Sequence, residues 1–206
     1  MTFRNILVRV GWALVIVLSA YYLYRAVLYR FITPDLLGPS LFNKKLFYFG
    51  HLIAALPVLL GAPLQFYTKL RDNRPEIHRL IGRLYVIGAS FAALSAIYLG
   101  ATIEYEGSRL PIVVAGTLWL FFTLAAWRCA INGRFVEHRL FMIRSYAFAL
   151  ILIWLRIIGD IPGDYIFFYI QDQAIRDTTQ EWMSWVIPLL VVEFTISWLP
   201  MLRSNK

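Results

Sequence analysis

The sequence predicts an all-α protein that crosses a membrane several times, and two observations carry that prediction. The first is composition. Of 206 residues, 60% are apolar and only 16% are charged, where a soluble domain carries about 25% charged residues. Mean hydropathy is +0.63. A soluble domain of this size has too little interior to bury that much apolar surface. Disorder is excluded as well, because 34 residues are aromatic. The second observation is arrangement: the apolar residues fall into six runs, each near the length of about 20 helical residues that spans a hydrocarbon core. Runs this long and this uniformly apolar read as helices, not as the weakly alternating strands of a barrel.

The expected spans are 6–24, 47–68, 79–103, 110–132, 138–160 and 183–203, forming a single integral membrane domain over 1–206. The first follows Arg4 and Arg9 and so resembles a secretion signal. However, Ala20-Tyr21-Tyr22-Leu23-Tyr24 is bulky where a cleavage site wants small residues, so this run is expected to stay as an anchor. The second contains Pro57 and Pro63, and the sixth Pro188; membrane helices accept such prolines as kinks when neighbours satisfy the freed carbonyls. The third and fifth open on His78-Arg79 and His138-Arg139, each after a short basic turn. Between the fifth and sixth, the 161–181 loop starts with the turn signal Ile161-Pro162-Gly163-Asp164 and continues as apolar Tyr165 to Ile170. It reads as a short helix lying on the interface. The 31–45 loop is similarly small, so any site is expected among the helices.

Six spans put the N-terminus, the 69–78 and 133–137 loops and the C-terminus on one side. That side holds 13 basic residues against seven on the other, which predicts cytoplasmic termini in an inner (plasma) membrane. With three acidic residues (Asp72, Glu76, Glu137) its net charge is +10, so it accounts for the overall +8. The excess therefore reports orientation and suits anionic lipid headgroups, not nucleic acid. Tyr21, Tyr22, Tyr24, Tyr48, Tyr67, Tyr105, Trp127, Trp182, Trp185 and Trp198 lie near span ends, as an aromatic belt does. Cys129 is the single cysteine, so no intramolecular disulfide forms. No nucleotide-binding glycine loop, C-x-x-C or metalloprotease helix motif is present.

The most specific feature is a repeated phrase. His78-Arg79-Leu80, followed by Arg83 and Tyr85, recurs 60 residues on as His138-Arg139-Leu140, followed by Arg144, Ser145 and Tyr146. This predicts two related helical hairpins, spans two–three and four–five, forming a four-helix core. The paired His-Arg helix starts, His51 with Gly61 and Gln65, and the run Met142-Ile143-Arg144-Ser145-Tyr146 ending at Leu155-Arg156 resemble a bacterial family of predicted membrane proteins, domain of unknown function 2306. The resemblance covers roughly 45–160. It implies a multi-helix bacterial membrane protein and supplies no activity.

At 100° per residue, His78, Gly82, Tyr85, Ala89, Ala93, Ala96 and Gly100 share one stripe. In the fifth span the stripe is His138, Met142, Ser145, Ala149, Arg156 and Asp160; in the second it is His51, Ala55, Val58, Ala62, Gln65 and Lys69. Small residues let a partner helix approach closely, so the three histidines are expected to face protein.

Two sites follow. His78 and His138, at equal depth on two helices, are candidate axial ligands of one haem b, with Arg79, Arg83, Arg139 and Arg144 for its propionates. The alternative is interfacial histidines bonding headgroups or loop carbonyls beside snorkelling arginines. In the outer half, His51, Arg156 and Asp160 form a candidate site for a quinone headgroup, a small anion or a lipid phosphate, with Gln65 on the His51 stripe as a further candidate binding residue; Arg156–Asp160 at i,i+4 reads equally as a structural ion pair. Glu193, ten residues into the sixth span with Ser197 at i+4, reads as a neutral hydrogen-bonded acid or a proton-relay group. Three classes remain open: a redox protein, a lipid- or small-molecule-binding or transport protein, and a non-catalytic subunit of a membrane complex.

Overall fold

The computed structural model describes residues 43–203 and six isolated positions between 13 and 24. The expected first span, 6–24, therefore lies largely outside the described residues. From Lys44 onward the chain forms one compact unit of helices without strands among the described residues. The helices are α1 (Lys45–Gln65), α2 (Thr68–Asn73), α3 (Pro75–Thr102), α4 (Glu106–Ile131), α5 (Phe135–Ala149), α6 (Ile151–Asp160), α7 (Gly163–Ile166) and α8 (Gln173–Glu193). A π-helical turn, Phe194–Trp198, then leads into α9 (Leu199–Arg203). Among the described residues, four stretches are long and apolar enough to cross a membrane, and the bent α5–α6 pair makes up to five.

Helix α1 packs on α3, α3 on α4, α4 on α5, and α5 returns to α1. These four close a ring, with α3 and α5 on its diagonal. The stripes inferred from the sequence are its inner faces: Ala55, Val58 and Ala62 of α1, Tyr85, Ala89 and Ala93 of α3, and Met142, Ser145 and Ala149 of α5 are all buried. Small residues set the spacing. A Cβ on Gly88 would lie 2.5 Å from the Ala54 carbonyl oxygen, so the α1–α3 crossing admits only glycine there. At the α4–α5 turn Gly133 takes φ +70°. The Gly133 N–H donates to Ala130 O (3.1 Å) and that of Arg134 to Cys129 O (2.9 Å), a left-handed cap that ends α4 and reverses the chain within four residues.

The final long stretch lies outside the ring, against α4, α5 and α6. Its far half is fastened by side chains to α4 and to Tyr105, the residue before it. Ser108 donates to Glu181 Oε1 at 2.7 Å, Tyr105 Oη donates to Ala174 O, and Tyr105 and Thr178 hydroxyls meet at 3.0 Å. Trp185 is buried and stacks on Phe148, centroids 5.8 Å apart. It is a packing residue rather than a member of the aromatic belt.

Three boundaries differ from expectation. The expected fifth span, 138–160, is broken at Leu150, and its two parts bend by 42°. The expected sixth span, 183–203, begins ten residues earlier, inside what reads as the 161–181 loop. Its polar first turns hide it from hydropathy, but Asp172 caps it by accepting from the Ile175 N–H at 3.1 Å. The basic 69–78 loop contains α2, and α3 starts at Pro75, a residue suited to a first helical position. His78 and Arg79 thus belong to the first turns of α3. The end of the bundle carrying α2, the α4–α5 turn and α9 is called the basic end below, and the opposite one the far end.

Candidate functional site

The ring's interior holds a chain of hydroxyls whose direction can be read from its donors. Thr123 Oγ1 donates to Trp119 O at 2.8 Å, which spends its proton. Ser145 Oγ, 2.8 Å away, must therefore donate to Thr123. Tyr85 Oη, 2.9 Å from Ser145, must in turn donate to Ser145. All three side chains are fully buried. The chain bridges the diagonal directly, from Tyr85 of α3 to Ser145 of α5, and continues to Thr123 of α4; every proton in it has an acceptor, as burial requires.

His78 and His138 each lie seven residues before a member of this chain, Tyr85 and Ser145, so roughly 10 Å nearer the basic end. Both are half-buried. The His138 Nδ1 atom is 2.9 Å from Ala126 O. A carbonyl only accepts, so Nδ1 carries the hydrogen and Nε2 keeps its lone pair. Ligating histidines are usually oriented by such a bond. The His78 Nδ1 atom is buried without a hydrogen-bond partner among the described residues, while its backbone oxygen accepts from Gln65 Nε2 at 2.9 Å. The two imidazoles thus lie on diagonal helices, toward the basic end from the buried hydroxyls.

The arginines divide. Arg79, Arg83 and Arg139 are exposed, whereas Arg144 is committed elsewhere. Its Nε donates to Glu193 Oε1 at 2.5 Å and its Nη2 to Oε2 at 2.9 Å and to Ser197 Oγ at 3.0 Å. Ser197 donates to Glu193 Oε2 at 2.7 Å. This closed ion pair is about 14 Å from the start of α5. It clasps the last span to the core where that span forms its π-helical turn. Glu193 is neither alone nor a relay group with a free oxygen, and its partner Arg144 is thereby unavailable to a propionate.

Of the second candidate group, His51 and Gln65 lie toward opposite ends of α1. His51 Nδ1 is 2.7 Å from Ala92 O near the far end, and its ring stands edge-on to Trp119. Gln65 is fourteen residues further along α1, roughly 21 Å away, at the basic end beside His78. Asp160 is exposed at the end of α6, and the Arg156 side chain lies outside the described residues.

Among the described residues no three His, Cys, Asp or Glu side chains gather to hold a metal ion. A bare zinc ion needs three or four protein ligands. A two-histidine site suits an iron whose remaining donors come from a porphyrin.

A family model described as a predicted membrane protein, DUF2306, matches residues 48–196, well over half of the chain. No curated protein and no solved structure matches it.

Proposed function

We propose, starting from the fact that the chain belongs to the DUF2306 family of predicted membrane proteins, that it is a membrane-embedded electron carrier in which His78 and His138 ligate one haem b. The observation that carries this reading is the His138 Nδ1–H bond to Ala126 O. It aims an unprotonated Nε2 away from the backbone, on the helix diagonally opposite one bearing a second histidine at equal register. The buried, unmatched nitrogen of His78 is consistent with a ring held for a ligand.

In this reading haem b supplies one-electron redox chemistry, and the chain's residues bind and orient it. Arg79, Arg83 and Arg139 remain for the propionates, with Arg144 excluded by its ion pair. The hydroxyl chain of Tyr85, Ser145 and Thr123 closes the ring's interior against water. The recurrence of His-Arg-Leu at 60 residues supports an origin of the ring by duplication of a helical hairpin. The basic end faces the cytoplasm of a bacterium in this account, where its arginines meet anionic lipid.

The test is the visible spectrum of protein purified from haem-supplemented cells. A Soret band that sharpens and shifts on dithionite reduction is expected. A colourless protein under those conditions overturns the proposal. The three exposed arginines favour the second reading, binding of an anionic headgroup at the same end; co-purified anionic lipid lost in an Arg79→Gln/Arg139→Gln variant would distinguish it.

A further inference from the structure

At the far end, α6, the segment after it and the start of α8 border a half-open cavity of about 250 Å³ lined by Ile158, Gly159, Phe167, Arg176, Asp177 and Gln180, among others. That is room for about eight waters at liquid density, or for one small polar group. The neighbouring polar atoms have partners. Asp172 caps the helix, Gln173 Nε2 donates to Asp177 Oδ1 at 2.7 Å, and Gln180 Nε2 donates to Leu155 O at 2.8 Å. Gln180 can lie so flat because a Cβ on Gly159 would come 2.6 Å from that nitrogen.

Arg176 is different. Its Nε is shielded from solvent and has no hydrogen-bond partner among the described residues. A guanidinium N–H withdrawn from water needs an acceptor, and a planar donor group of this kind best suits the oxygens of a carboxylate or phosphate. Asp177 and the Gln180 side-chain oxygen offer further acceptors in the same cavity, which suits an occupant that also donates. One group meeting both needs is a phosphate ester carrying an amine or hydroxyl.

Exposed Tyr165, Phe168 and Tyr169 stand on the segment that borders the cavity. Aromatic side chains of this kind settle at headgroup depth. We infer that the cavity is a binding site for a phosphate ester with an adjacent amine or hydroxyl, its phosphoryl oxygens held by Arg176. A phospholipid headgroup and a soluble phosphate ester share that chemistry.

The experiment compares wild type, Arg176→Gln, Arg176→Lys and Arg109→Gln, all full-length and in detergent. Each is titrated with phosphatidylethanolamine in mixed micelles and, separately, with glycerophosphoethanolamine, with thermal stability as the readout. Arg109, which is exposed near the same end and paired with Glu106, is the charge control. The lipid is expected to raise the melting temperature of wild type and Arg109→Gln. Binding should be about tenfold weaker in Arg176→Gln, as for loss of one charge-assisted hydrogen bond. Arg176→Lys, which keeps the charge but lacks Nε, should lie between them and serves if Arg176→Gln does not fold. A response to the soluble ester equal to that of the lipid assigns the site to free phosphate esters. A response to neither, or one unaffected at Arg176, overturns the inference.

Discussion

The Tyr85 phenol donates a 2.9 Å hydrogen bond to the Ser145 hydroxyl across the diagonal of the four-helix ring. The two residues are 60 positions apart, the interval at which His-Arg-Leu recurs. Each follows its histidine by two turns of helix. The contact fixes the register of α3 against α5, and with it the common depth of His78 and His138.

Tyr85→Phe and Ser145→Ala should each destabilise the protein in detergent by about 1 kcal/mol, the net worth of one interior hydrogen bond. The double variant should lose less than the sum, because either change alone already breaks the same bond. Thermal unfolding of the four proteins checks this. Additive losses would show that the two hydroxyls do not act together.

The Arg144–Glu193 pair should behave as a clasp. Arg144→Leu leaves a carboxylate without its partner within the membrane-spanning part, at a cost of about 3 kcal/mol. Replacing both residues with leucine should recover most of that loss, since the uncompensated charge is gone. Limited proteolysis of the last span gives the readout. A double variant as fragile as Arg144→Leu would contradict this account.

Gly88→Ala should loosen the α1–α3 crossing by about 1–3 kcal/mol, as overpacking does, because the new methyl group meets a backbone oxygen that cannot move alone. Gly133→Ala acts differently: it has open space and is penalised only through its positive φ, by about 1 kcal/mol. Melting temperatures of the two variants should therefore fall in that order.

Orientation is testable with single cysteines in a Cys129→Ala background. Asn132→Cys, in the α4–α5 turn, should react with a membrane-impermeant maleimide only after cells are opened. Asp177→Cys at the far end should react on intact cells. The reverse pattern would contradict the sidedness assigned from the 13-to-seven distribution of basic residues.

Much of this fold is legible in hydropathy and in the small-residue stripes, which is why Ala55, Ala89 and Ser145 fall where the helical projection places them. Hydropathy cannot see a membrane helix that begins with polar turns, so the start of α8 at Gln173 is hidden; the Asp172 cap is the local signal for it. Nor does periodicity pair residues on different helices. Arg144 and Glu193 are 49 residues apart, yet both are charges about ten residues inside the basic ends of their spans. That shared depth is the clue that joins them. Gln65 shares a helix face with His51, but one face of a long helix reaches both ends of the bundle.

The central claim is that His78 and His138, and not His51, hold one haem b. Haem content per chain, measured by pyridine haemochrome on wild type and the three histidine-to-alanine variants, tests it most directly. The account predicts about one haem in wild type and in His51→Ala. It predicts loss, or conversion to a high-spin spectrum, in both His78→Ala and His138→Ala. A His138→Ala protein with the full low-spin spectrum of wild type would contradict it.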